Sequence, residues 1–128
     1  MEKHEYTYPA KVTEVLDGDT VYFMVTLGLR CFTYIEGRMA RINAPEKNRI
    51  KSREAGIAAR DYLQDLLEDQ SVYIKTEKID GKRSEYICEK NDSWSRWIVE
   101  IYVKIDERFI NLNDAMVTAG HAIYRNYK

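Results

Sequence analysis

The chain lacks an excess of charge of either sign: 20 Lys and Arg stand against 21 Asp and Glu in 128 residues, a formal net charge of −1. That excludes a protein held to nucleic acid by bulk positive charge, but it leaves room for a local basic site. Glycine and proline are scarce, at six and two residues, which argues against a disordered or collagen-like chain. Cys31 and Cys88 are too few for a disulfide scaffold or a Cys-x-x-Cys metal knuckle, and they suit a reducing compartment. His4 and His121 are far apart and lack the spacing of a histidine metal centre. No apolar run approaches the ~20 residues needed to cross a bilayer. The first residues, Met1-Glu-Lys-His-Glu, are charged and show no apolar core of a signal peptide, so a cytoplasmic location is favoured over a secreted one.

What is present is a hydrophobic content of 45% with 32% charged residues, enough to bury a core in a soluble chain. There is no repeat, linker or low-complexity tract, so residues 1–128 read as a single domain. The first part reads as strands. Lys11–Leu16 is rich in β-branched residues, and Thr20–Leu27 alternates, with Val21, Phe23, Val25 and Leu27 on one face. Arg30–Glu36 is expected to return as its hairpin partner. Arg38–Asn43 is expected to be a further short strand, ended by Pro45.

Ser52–Glu68 changes to helical spacing, with Ala55, Ala58, Ala59, Tyr62, Leu63, Leu66 and Leu67 on one face and Ser52 as a candidate N-cap. Val72–Glu77 and Trp97–Ile105 read as strands, and polar Lys78–Ser95 as a loop or an extra hairpin. Asn111 is placed to cap a short helix carrying Leu112, Ala115, Met116 and Ala119, with Gly120 as its stop. Strands, a helix, strands and a helix, without βαβ alternation, predict an α+β fold. A small Greek-key barrel would close its own edges.

Several clusters carry chemistry. Taken singly, each has an ordinary explanation. Asp17-Gly18-Asp19-Thr20 is a turn signal, and Asn43-Ala44-Pro45-Glu46 a strand end. Arg38 and Arg41 suit a solvated rim, and Lys47, Arg49, Lys51 and Arg53 a solvated run. Asp92-Ser93-Trp94-Ser95-Arg96 suits a loop with an exposed aromatic. Together they offer carboxylate and amide oxygens, an isolated Glu, arginines and an aromatic, with no His. Metal-assisted phosphodiester cleavage needs that set: a hard cation, a carboxylate to activate water, and guanidinium groups to meet the growing charge.

In this order the motifs resemble the staphylococcal nuclease (thermonuclease) family. The resemblance rests on Asp17-Gly18-Asp19-Thr20 and on Arg38 eight positions before Glu46. It rests further on Asp92-Ser93-Trp94-Ser95-Arg96 and on Asn111–Ala122, and it runs from about Lys11 to Tyr127. It implies an OB-fold: a five-stranded Greek-key β-barrel with two or three packed helices. It implies calcium-dependent endonuclease cleavage of DNA and RNA to products with 3′-phosphate ends. Arg38, Glu46 and Arg96 would be the catalytic set. Asp19, Asn43 and the Ala44 carbonyl would hold calcium, with Asp17 close by. Trp94 and Tyr127 would contact bases, while Lys47 and Arg49 would steer phosphates. Single-stranded substrates and a monomeric state are expected.

The sequence departs from the family pattern at Asn43, where a second liganding carboxylate is usual. Asn offers an oxygen but no charge, so weak calcium binding is expected. The stretches between Asp19 and Arg38 and over Lys78–Asn91 are longer than the pattern, and the chain ends where the family usually adds another helix. Two other readings compete. One is an OB module that binds single strands with weakened or no catalysis, supported by Asn43. The other is a protein-interaction domain, supported by the near-zero net charge.

Overall fold

The computed structural model describes residues 7–76 and 96–125. The elements are β1 (Thr7–Asp17), β2 (Thr20–Gly28), β3 (Cys31–Met39), β4 (Ile42–Asn43), α1 (Arg53–Leu67), β5 (Ser71–Thr76), β6 (Arg96–Ile105), β7 (Arg108–Asn111), α2 (Leu112–Thr118) and β8 (Ile123–Tyr124), with a single 3-10 turn at Ile50–Ser52 before α1.

The strands lie in the order β3-β2-β1-β5-β6-β7, and a further β3–β6 pairing closes the sheet on itself. That ladder is parallel, with Glu36 opposite Arg96 and Arg38 opposite Ile98. The result is the expected closed five-stranded barrel with two helices. β7 is added as a hairpin on β6, and the small β4–β8 pair lies outside the barrel sheet.

Alternation builds the interior. Val21, Phe23 and Val25 of β2, Ile35 of β3, Ile74 of β5 and Val99, Ile101 and Val103 of β6 are all buried. Gly37 is required there, because a Cβ at that position would stand 2.7 Å from the Phe23 ring. α1 covers one side of the core through Ala59, Leu63 and Leu67, and α2 adds Leu112 and Met116. Just after α2, His121 lies on Tyr62 of α1, ring centroids 4.6 Å apart, so this histidine has a packing role.

Three local expectations change. Arg38 does not begin a strand; it continues β3, and a turn at Ala40–Arg41 separates it from β4. Ser52 precedes α1 but makes no side-chain cap; its hydroxyl donates to the Glu46 carbonyl at 2.7 Å. The buried face of α1 is turned relative to the apolar spacing: Gly56 is buried, whereas Ala55 and Ala58 are exposed. The cap on α2 is as expected, the Asn111 side chain accepting from the Asp114 N–H at 3.1 Å.

Candidate active site

Asp19 stands in the two-residue turn between β1 and β2 and is only 7% exposed. A carboxylate buried to this degree needs partners. Its Oδ1 accepts from the Thr20 hydroxyl at 3.1 Å, and its Oδ2 accepts from the Ala44 N–H at 2.8 Å. The same Oδ2 lies 3.4 Å from Nη2 of Arg38. That nitrogen also reaches Oδ1 of Asn43 at 3.4 Å, while Nη1 donates to the Met39 carbonyl at 2.9 Å. The structure thus brings together Asp19, Arg38, Asn43 and Ala44 around one buried carboxylate.

Glycine makes that convergence possible. Gly18 has no positive φ; what it supplies is space. A Cβ there would sit 2.7 Å from the Ala59 Cβ and 3.0 Å from the Ala44 Cβ. The Asp17–Asp19 turn is therefore pressed onto α1. Gly56 does the same one turn earlier on the helix. A Cβ there would meet the Glu46–Lys47 backbone, with the Glu46 carbonyl carbon at 2.5 Å and the Lys47 Cα at 2.6 Å. The two acid-bearing loops thus rest on one helix. Gly56 was not visible as a site residue from spacing alone. Its only signal is a glycine inside an alanine-rich helix, where glycine costs about 1 kcal/mol against alanine.

Glu46 is exposed, and its Oε2 accepts from Nε of Arg49 at 2.8 Å. Arg49 was expected to steer phosphates; in the structure it is the ion-pair partner of Glu46. The pair is open to water, 75% and 55% exposed at its two side chains, so it is weak and easily parted. The Lys47 N–H points to Oδ1 of Asp17 across a long 3.5 Å contact, which places Asp17 beside this loop. The backbone of Arg96 begins β6, opposite Glu36. Trp94 and Tyr127 lie outside the described residues, as does Lys78–Ser95.

A second polar cluster holds the turn that follows Arg38. Asn113 is fully buried; its amide donates to the Ala40 and Val99 carbonyls at 2.9 and 3.0 Å, and its oxygen accepts from the Ile101 N–H at 3.0 Å. Arg41, in the left-handed region at φ 68°, pairs with the buried Glu100 and with Asp114. The hydrogen bonds to Glu100 first, and then to Asp114, raise the Arg41 pKa above its ordinary value. The Arg41 hydrogen bond holds the Asp114 carboxyl below the usual carboxylate range. The Tyr124 hydroxyl also donates to Asp114, at 2.9 Å. Arg41 is therefore engaged in structure, where a solvated rim residue was one reading of the sequence.

The donor set bears on a cation. Among the described residues no group of three or more His, Cys, Asp or Glu gathers as a metal cage. Asp19, Asn43 and Ala44 offer oxygen only, which suits a hard cation over a thiolate- or imidazole-seeking one. The set is short of charge, because Asp19 is its one buried carboxylate and already faces Arg38. A hard cation held by these oxygens would be held weakly.

The family model for the staphylococcal nuclease homologue matches residues 36–128. The chain belongs to this family. The matched stretch contains Arg38, Asn43, Ala44, Glu46 and Arg96, while Asp17 and Asp19 lie before it. No curated protein matches the chain. Family membership and the closed barrel agree on a nuclease-type OB domain with a nucleic-acid connection. No helix among the described residues is long and apolar enough to cross a membrane.

Proposed function

We propose that this chain is a calcium-dependent phosphodiesterase that cleaves DNA or RNA, single strands by preference, to 3′-phosphate ends. The observation that carries this reading is the convergence on Asp19. A buried carboxylate, an arginine, an amide oxygen and a backbone N–H meet at the barrel end, and the Glu46 loop is docked beside them. Asp19, Asn43 and the Ala44 carbonyl would hold the cation, with Asp17 assisting; a bound calcium would supply Lewis-acid polarisation of a phosphoryl oxygen.

The rest of the chemistry falls to the chain. Glu46, exposed and only loosely held by Arg49, takes a proton from water. That water attacks phosphorus, the bond to O5′ breaks, and the departing O5′ takes up a proton from solvent, leaving a 3′-phosphate and a 5′-hydroxyl. Arg38 and Arg96 meet the charge that builds on the phosphoryl oxygens, a task suited to the planar guanidinium fork. The protein would act as a monomer. Cleavage of a labelled single-stranded DNA with calcium, abolished by chelator, is the expected result; no cleavage of DNA or RNA at any calcium concentration would overturn the reading.

One observation favours a second reading, a single-strand-binding module with little catalysis. Arg38 already balances Asp19, and Asn43 brings no charge, so the fold is satisfied electrostatically with no cation. The chelator experiment separates the two.

A further inference from the structure

The β2–β3 hairpin has its root at the candidate site and its tip far from it. Thr20 pairs with Arg38 at the root, and Gly28 with Cys31 at the tip. Alternation along β3 puts Phe32, Tyr34, Glu36 and Arg38 in one file on the outer face, and Ile35, Gly37 and Met39 are buried on the other. Phe32 is 55% exposed and Tyr34 64%, and their rings meet edge to face with centroids 5.7 Å apart. Across the ladder, Met24 lies opposite Tyr34, and Lys11 of β1 lies opposite Met24. From Arg38 to Phe32 the file runs about 20 Å, the length of about six stacked nucleotides.

The tip is built against local preference. Leu29 and Arg30 form its two-residue turn at φ 54° and 65°, a conformation for which hairpins favour Asn-Gly. The Asp106–Glu107 turn of the β6–β7 hairpin adopts the same geometry, at φ 52° and 65°, so what sets the β2–β3 tip apart is its side chains. Leu29 is 97% exposed, with Arg30 beside it.

We infer that this face is a single-strand track: a strand whose phosphate is held at Arg38 continues along the hairpin, its bases stacked on Tyr34 and Phe32, its backbone reaching Lys11 and Arg30. The inference rests on the phosphodiesterase reading and extends it to the length of strand engaged. Aromatic faces accept any base, and the outer face of these two strands is where OB barrels take oligonucleotides. The file's polarity agrees. Glu14 and Glu36 border a shallow hollow with Thr13, Tyr22 and Tyr34. Carboxylates there turn phosphates outward and suit the amino groups of bases. They disfavour an anionic lipid surface. A narrow file is also small against the ~800 Å² that each partner of a stable dimer buries.

The test uses the whole chain in chelator, so that nothing is cut. Two ten-nucleotide strands of equal charge are titrated by NMR, one intact and one abasic outside a central pair, together with a dinucleotide. The intact strand is expected to bind at least fivefold more tightly than the abasic one. Phe32→Ala and Tyr34→Ala should each erase about fivefold of that advantage, Tyr34→Trp should keep it, and dinucleotide affinity and thermal midpoint should not move. Equal affinity for intact and abasic strands, or alanine variants that bind the intact strand like wild type, would overturn the track alone. Binding of none of the three ligands would also overturn the track, while the phosphodiesterase reading stands or falls separately on cleavage with calcium. Loss in Phe32→Ala of a measured affinity for phospholipid vesicles, or of a dimer seen by sedimentation, would assign the face to lipid or to a second copy and overturn the track.

Discussion

Arg41 grips Glu100 with two nitrogens, Nε and Nη2, at 2.7 and 2.8 Å from the two carboxylate oxygens. Glu100 is buried on β6, and Asn111 adds a third bond to its Oε1 at 3.0 Å. Arg41→Ala would strand that charge. A fully buried pair broken in this way costs about 3–5 kcal/mol, and Arg41 is 42% exposed, so about 2 kcal/mol is expected. The urea midpoint of the variant checks this, and Arg41→Lys should recover only part of the loss because the fork is gone.

Acid should loosen the same turn. The Asp114 carboxyl is held low by the hydrogen bond from Arg41, against desolvation, which pushes the other way. A group with a depressed folded pKa contributes stability that is present above its unfolded pKa of about 3.9 and lost as pH falls through the folded value. Thermal midpoints of wild type and Asp114→Asn should therefore differ at neutral pH and converge in acid as Asp114 is protonated in the folded state.

Gly56→Ala sets two effects against each other. Helix propensity alone would stabilise by about 1 kcal/mol. The new Cβ would meet the Glu46–Lys47 backbone, which is not the flexible end of a side chain and cannot swing aside. The clash should win, with a net loss of about 1–3 kcal/mol and a displaced Glu46 loop. Denaturation and a cleavage assay read both consequences, and a more stable variant would show that the loop does not rest on the helix.

Glu46→Gln should bind substrate as before and lose about two decades of cleavage rate, the usual size of a general-base contribution. Arg49→Ala makes a useful companion, since it parts an exposed ion pair at a cost of at most about 1 kcal/mol. Single-turnover kinetics on both should show the first slow and the second near wild type.

Asn43→Asp should tighten calcium binding, because affinity follows ligand charge. The new carboxylate would also face Arg38, which already reaches the Asn43 oxygen at 3.4 Å. Calorimetry on both forms decides it: equal affinity would remove residue 43 from the cation site.

Legibility in the sequence followed the range of the interaction. Val21, Phe23 and Val25, and the run from Trp97 to Ile105, declared their strands because alternation is a local pattern. Asn111 declared its cap for the same reason. The break after Arg38 was hidden, because it depends on Asn113 bonding Ala40 from 73 residues away. The rotation of α1 was hidden too. Its apolar spacing favours Ala55, but the Glu46–Lys47 loop lies on Gly56, and only the folded chain shows that contact. Asp19, Arg38, Asn43 and Ala44 could be named from their motifs. The sharing of one guanidinium nitrogen between Asp19 and Asn43 could not.

The parallel β3–β6 ladder has a consequence for how such a chain diversifies. Arg38 and the backbone of Arg96 lie two rungs apart on it, each fixed by pairing with the other strand. β5 ends at Thr76, opposite Val99, and β6 begins at Arg96, opposite Glu36, so the described residues on either side of 77–95 are tied into laddered strands. Residues can be gained, lost or exchanged over 77–95 without shifting the rungs at which Arg38 and Arg96 stand. On the phosphodiesterase reading, length and composition there could change while the two arginines keep their register.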